Sequence, residues 1–311
     1  MTKMPGRSYS KSLRPLSADE VELGDRLKEH VWTLAGQIGE RNVWQLEALE
    51  TAARYIEGRF QGSGYDVASQ TFVVGRTPVR NVEAELAGTE LPDEVVLIGA
   101  HYDSVIGSPG ANDNGTGAAA VLEIARLLAG KRLARSIRFV AFVNEEPPFF
   151  QTDDMGSRVY ARRARERGEN IVAMLSLESI GYYSDAKKSQ RYPFPFMLLY
   201  PNTANFIGFV GNIRGRQLVR RTIKSFRKHA AFPSEGVAAP GWIMGIGWSD
   251  HWSFWEEGYP AIMVTDTALF RYEHYHSLTD TPDKLDYARM ARVVAGMARV
   301  TIDLARAVTE T

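Results

Sequence analysis

Apolar positions recur along this chain in three distinct rhythms, and each rhythm predicts a different kind of element. Behind Ser17, which can cap a helix while Glu20 reaches back to the cap's N–H, the residues Val21, Leu23, Leu27, Val31, Leu34 and Ile38 follow at helical spacing. Leu46, Leu49, Ala53, Ile56 and Phe60 predict a second helix, ending near the turn at Gly62 to Gly64. Residues 65–74 and 79–86 alternate apolar with polar, as antiparallel strands at one side of a sheet do. Four continuous apolar runs, 94–100, 137–143, 171–177 and 261–264, predict strands buried on both faces. Between and after them, residues 116–128 predict a helix buried on most of its surface and ended by Gly130, and 156–167 a helix with a basic outer face. Residues 216–228 predict a basic amphipathic helix with a solvated outer face. A long C-terminal helix over 285–308 turns Met290, Val294, Met297, Leu304 and Val308 inward. Short strands are predicted at 196–200 and 206–210. Residues 182–195 form a polar, aromatic, Pro-containing loop suited to a pocket wall.

The order strand, helix, strand, helix, strand from 94 to 177 predicts right-handed parallel crossovers in one sheet. The expected architecture is therefore α/β, a single-domain α/β/α sandwich with a mixed, centrally parallel sheet over residues 18–311, preceded by an arm at 1–17. With 311 residues, 44% of them hydrophobic, the chain can bury a large core. Lys plus Arg and Asp plus Glu are both 37, so net charge favours neither nucleic acid nor an anionic membrane as partner. No Cys is present, which excludes disulfides, thiolate metal ligands and a Cys nucleophile, and leaves His, Asp and Glu for metal chemistry. The first residues contain no apolar run, so the chain as given predicts a cytoplasmic protein, or a secreted or periplasmic one if a signal was removed.

Polar groups of the metal-ligating kind stand where the buried strands stop. His101, Tyr102 and Asp103 end the first run, Asn144, Glu145 and Glu146 follow the second, and Glu178 closes the third. In an open parallel sheet the carboxyl ends of the strands are where ligands bind. A Gly-, Pro- and Asn-rich loop then delivers Asp113, and His274 and His276 come late in the chain. Singly, each has a plainer explanation: a hydrogen-bonded core His, a turn or helix cap for Asp113. Together, two imidazoles and three carboxylates suit a pair of zinc ions sharing one bridging carboxylate. Asp103, two residues after His101, suits a carboxylate that takes the imidazole's other N–H. Spacing does not choose between His274 and His276.

The motifs H-Y-D-S, A-N-D-N-G-T-G, N-E-E, L-E-S-I-G-Y and H-S-L-T-D-T, in this order over residues 45 to 305, resemble the two-zinc aminopeptidases of metallopeptidase family 28, whose relatives include carboxypeptidases and glutaminyl cyclases. The resemblance implies that His101 and Glu178 complete one zinc site, Glu146 and His276 the other, and that Asp113 bridges. It implies Glu145 as general base, Asp103 as orienting His101, and a cis peptide between Asp113 and Asn114. His276 is favoured over His274 because a hydroxyl residue and a D-T pair follow it, here Ser277 and Asp280-Thr281. Many members have Asp where this chain has Glu178. Asp250 and His251 match a family position near the substrate pocket, and Phe149, Phe150, Tyr182, Trp242, Trp248, Phe270 and Tyr272 are aromatic candidates for its wall. The implied activity is hydrolysis of an N-terminal peptide bond on a peptide or aminoacyl substrate. The alternatives are a glutaminyl cyclase, which uses one zinc and no hydrolytic water, and a binding module that lost its chemistry.

Overall fold

Among the described residues eight strands make one sheet, and its central four run parallel. The computed structural model describes residues 3–307. The strands are β1 (Val67–Val74), β2 (Thr77–Leu86), β3 (Leu91–His101), β4 (Arg135–Phe142), β5 (Asn170–Glu178), β6 (Ile207–Gly211), β7 (Ser234–Ala238) and β8 (Ala261–Thr265), ordered β1-β2-β4-β3-β5-β8-β6-β7. The row β4-β3-β5-β8 is parallel, while β1, β2 and β6 join through antiparallel pairs. The mixed, centrally parallel α/β sandwich expected from the strand and helix rhythm is the observed fold.

Helices cover both faces. On one side lie α1 (Ala18–Val31), α2 (Leu46–Gly62), α3 (Gly117–Leu128), α5 (Arg216–His229) and α8 (Tyr287–Ala305), packed on Ile98, Phe139, Leu175, Phe209 and Val264. On the other lie α4 (Gly156–Glu166) and α6 (His251–Glu256), whose Tyr160 and Phe254 meet Leu97, Phe142 and Met174. The short helix α7 (Ala268–Arg271) follows β8. Alternate residues of the central strands thus feed two cores, which is why these strands read as unbroken apolar runs. No helix among the described residues is long and apolar enough to cross a membrane.

The capping box at Ser17 and Glu20 opens α1 as predicted. Leu23, Leu27, Val31 and Leu34 are buried, whereas Val21 is exposed, because two residues span about 200° of helix and cannot share a stripe. Beyond Val31 the helix widens into π turns over Trp32–Ile38. Residues 196–200 are not a strand: Phe196–Leu198 is a 3₁₀ turn, since Pro193 and Pro195 lack the N–H groups a ladder needs. Strand β7 and helix α6 escaped the sequence reading. The arm is laid along β7 and α5, where Ser8 accepts the Ser234 N–H and Arg227 donates to the carbonyls of Pro5 and Gly6. Val308, expected at the end of the last helix, lies outside the described residues.

Candidate metal centre

Strands β3, β4 and β5 deliver their terminal residues to one spot. His101 is the last residue of β3, Glu145 and Glu146 follow β4, and Glu178 is the last residue of β5. Asp113 arrives on the segment Ala111–Thr116, which breaks from helical geometry at Asp113 and Asn114, joined by a cis peptide bond. A Cβ at Gly117 would sit 2.2 Å from the Leu177 carbonyl oxygen, so glycine is what lets α3 begin against the end of β5. His276 comes from the loop after α7, in the left-handed backbone region at φ 55°.

Asp113 faces two imidazoles, one with each oxygen. Its Oδ1 lies 3.2 Å from His101 Nε2 and its Oδ2 lies 3.0 Å from His276 Nε2. Glu178 Oε2 is 3.3 Å from His101 Nε2, and Glu146 Oε2 is 3.2 Å from His276 Nε2. Two donor triads result, His101–Asp113–Glu178 and Asp113–Glu146–His276, with the atoms of each within 4.8 Å of one another. Donors about 2.0–2.1 Å from a tetrahedral ion stand roughly 3.3 Å apart, which is the spacing observed here. Among the described residues, neither Nε2 of His101 nor Oδ1 of Asp113 has a hydrogen-bond partner, although both are buried. Buried polar atoms without partners are costly, and a shared cation is what satisfies such a set. His274 is turned away, its Nδ1 2.8 Å from Thr279 Oγ1.

The donors are held by a layer of fixed groups. Asp103 accepts the backbone N–H of Glu145 and of Glu146, both at 3.2 Å, and its Oδ1 is 3.4 Å from His101 Nδ1, so it ties the end of β3 to the end of β4. Asp280 accepts the N–H groups of Asn112 (2.8 Å) and Asp113 (3.1 Å) and the Tyr272 hydroxyl (2.8 Å). Ser249 and Ser179 donate to the two oxygens of Glu178, at 2.8 and 3.0 Å. Val105 N–H donates to Glu146. Arg41, fully buried, donates to the carbonyl oxygens of Tyr102 (2.6 Å), Gly110 (2.8 Å), Gly39 (3.1 Å) and Pro109, which fixes the loop between His101 and Asp113. Burial lowers its guanidinium to about 10, with Asp103, Asp280 and Asp113 pulling the other way, so it stays charged at neutral pH.

Negative charge is crowded here. Burial pushes Glu145 well above the usual carboxylate range, reinforced by Glu178, Glu146 and Asp250 against the pull of His101. Glu146 is pushed up to about 7 by burial and Asp113, against His276. Burial also raises Glu178, with Asp113 adding to it. Only Asp113 goes down: burial works to raise it, but the two imidazoles outweigh that. Burial works to lower His101, and Glu145, Glu178, Asp103 and Asp113 more than reverse it. Such a set favours bound positive charge.

A cavity of about 470 Å³ opens from the donors, lined by Asp113, Glu145, Glu146, Glu178 and His276 at one part and by apolar side chains elsewhere. Phe150, Trp248 and Phe270 line it as expected. The other aromatic candidates do not. Trp242 is 85% exposed, Phe149 stacks on Trp44, and Tyr182 packs on Tyr272, whose hydroxyl is spent on Asp280. Asp250 and His251 are buried behind the cavity; burial raises Asp250 to about 7 and lowers His251 to about 4, and His251 packs edge-on against Trp255. Tyr275, stacked on His276 at 3.9 Å and lining the cavity, was not singled out from sequence, although it sits beside the histidine. Arg41 and Asp266 carried no signal at all. Asp266 accepts from Asn112 and from Tyr182 N–H.

A family model described as Peptidase family M28 matches residues 81–301. The uncharacterized protein YfbL of Escherichia coli (strain K12) is 38% identical over 282 residues, covering 88% of this chain and 86% of that one. A probable leucine aminopeptidase of Arthroderma otae is 30% identical over 234 residues, covering 70% of this chain; the chain spans about half of that relative, 55% of its length. Among solved structures, a zinc aminopeptidase from Bacillus subtilis matches with a TM-score of 0.73 at 15% identity, covering 93% of this chain and 96% of that one. A glutaminyl cyclase from Fimbriiglobus ruber matches with a TM-score of 0.67 at 21% identity, covering 96% and 98%. At these identities the two structures speak to the fold alone.

Proposed function

The chain belongs to peptidase family M28, and from that premise we propose that it is a zinc-dependent aminopeptidase with a two-ion centre. The observation that carries the reading is Asp113, whose two oxygens face two different imidazoles, each backed by a further carboxylate. His101 and Glu178 would hold one ion, Glu146 and His276 the other, with Asp113 shared. Nitrogen and oxygen donors without thiolates suit zinc. Bound zinc supplies Lewis acidity, polarising the scissile carbonyl and lowering the pKa of water.

The chain's own groups do the rest. Glu145 lines the cavity with its Oε2 3.8 Å from His101 Nε2 and belongs to neither donor triad. As general base it takes a proton from the attacking water while the water oxygen bonds to the amide carbon. When the C–N bond breaks, Glu145 returns that proton to the leaving amine. The same part of the cavity, beside Glu178, receives the substrate's free α-amine. Asp103 positions His101 and the backbone of Glu145 and Glu146 together, and Asp280 with Tyr272 holds the backbone of Asp113.

The test is hydrolysis of aminoacyl amides by zinc-loaded protein, with metal counted on the same sample. Release of the N-terminal residue supports the reading. A second reading, glutaminyl cyclisation, draws on the likeness to the Fimbriiglobus ruber enzyme. The complete second triad argues for the first. Ammonia released from N-terminal glutaminyl peptides, without hydrolysis of other aminoacyl amides, would replace the aminopeptidase by the cyclase.

A further inference from the structure

One carboxylate in the cavity has no part in the hydrolytic chemistry. Along a single row of the sheet, Glu178 of β5 pairs with Thr265 of β8, Thr265 with Gly208 of β6, and Gly208 with Glu235 of β7. Paired residues share a face, so Glu178 and Glu235 project to the same side, three strand spacings or about 14 Å apart. Both line the cavity. A Cβ at Gly208 would lie 3.2 Å from the Thr265 carbonyl oxygen and 3.5 Å from Thr267 Cγ2, and with glycine there Thr265 is the one side chain between the two acids along this row. Val210, Val237, Met263, Phe196 and Phe270 make the walls apolar. Burial raises the Glu235 carboxyl above its usual value, with Arg227 and Ser8 working against it. Arg227 does not neutralise it directly, because its N–H groups go to Ser234, Pro5 and Gly6.

An apolar channel ending in a carboxylate fits a side chain with an aliphatic stem and a cationic tip. We propose that Glu235 is a specificity-determining residue that selects substrates with N-terminal lysine or arginine, an inference that rests on the aminopeptidase reading. The lengths agree. A lysine's four-carbon stem carries its ammonium roughly 6 Å from Cα. A substrate carbonyl held at the donor cluster would stand a few Å beyond Glu178, and a charge-assisted hydrogen bond at the far end adds about 2.8 Å. With the Cα–carbonyl bonds included, these lengths suffice to cross the row of about 14 Å from Glu178 to Glu235. Leucine stops short of Glu235, and norleucine fills the channel without meeting its charge.

The experiment compares zinc-loaded wild type with Glu235→Gln on lysyl, arginyl, norleucyl and leucyl anilides, and measures calorimetric binding of free lysine, arginine and norleucine to both. The expected result is at least a tenfold wild-type preference in kcat/KM for lysyl and arginyl over norleucyl substrates. Glu235→Gln should lower turnover of the cationic substrates about 10–100-fold and leave the norleucyl rate, which also reports correct folding, unchanged. Equal wild-type turnover of lysyl and norleucyl substrates overturns the inference and leaves the aminopeptidase reading standing. So does an equal loss on all four substrates in the variant. If no anilide is cleaved yet lysine binds in a Glu235-dependent way, the channel is upheld and the hydrolytic reading falls. Absence of both cleavage and lysine preference removes both.

Discussion

Helix α3 begins just after one buried histidine–carboxylate cluster and carries the centre of another, and the two are satisfied in opposite ways. Glu123, in the middle of α3, accepts from Arg26 (3.1 and 3.2 Å), from Arg126 (2.8 Å) and faces His30 Nε2 at 3.1 Å, while His30 Nδ1 meets the Tyr55 hydroxyl at 2.7 Å. Among the described residues no buried polar atom of this cluster lacks a partner, and cations outnumber acids. At the other cluster acids outnumber imidazoles, and His101 and Asp113 keep unpartnered atoms. A buried His–Glu contact is therefore no signature of chemistry by itself. What separates a strut from a site is whether the protein completes its own hydrogen bonds and charge.

The contrast yields predictions of decreasing size. Glu145→Gln should lower turnover by about 10²–10⁴-fold with metal content and fold kept, measured by steady-state rates and elemental analysis; Glu123→Gln should leave activity per folded molecule unchanged. Chelation should destabilise the wild type by about 4 kcal/mol relative to protein with free zinc at a thousandfold excess over its Kd, read as a fall in Tm. Glu123→Gln should destabilise by about 1–3 kcal/mol whether or not metal is present, since it removes the buried carboxylate charge that Arg26 and Arg126 pair with. That loss depends on pH in a defined sense. Burial works to raise the Glu123 carboxyl, but hydrogen bonds from His30 and Arg126 hold it below the ordinary value. Its contribution is thus present above the unfolded-state value and fades as pH falls through the lower folded-state value, so wild type and Glu123→Gln should converge in acid denaturation. The smallest effect has the opposite sign: in chelated protein Glu145→Gln should raise stability by about 0.5–1 kcal/mol, because one acid leaves a crowded set. A fall comparable with that of Glu123→Gln would erase the distinction between the two clusters.

Much of the donor cluster was legible because its residues interrupt strong patterns. His101, Glu145, Glu146 and Glu178 each end an unbroken apolar run, and such a run fixes both the strand and the point where it stops. Asp113 and His276 lie on loops, where periodicity says nothing; Asp113 stood out through the Gly-, Pro- and Asn-rich loop that follows a strand end, and only the resemblance chose His276 over His274. Arg41 was invisible because a charged residue between two helices reads as surface, and its burial depends on carbonyl groups more than sixty residues away. Strand β7 was missed because Glu235 and Gly236 dilute its apolar character, the former serving the cavity and the latter making room for Met4. The aromatic wall was half legible. Aromatic rings are used equally by surface stacks such as Trp44–Phe149 and by cavities, and composition does not separate them.

The central claim is that Asp113 is shared between two ions, and counting zinc in wild type and Asp113→Ala tests it most directly. After dialysis against trace zinc, the account predicts two ions per wild-type chain and loss of tight binding at both triads in the variant, with the fold retained by circular dichroism. One ion in the wild type, or two retained in Asp113→Ala, would contradict it.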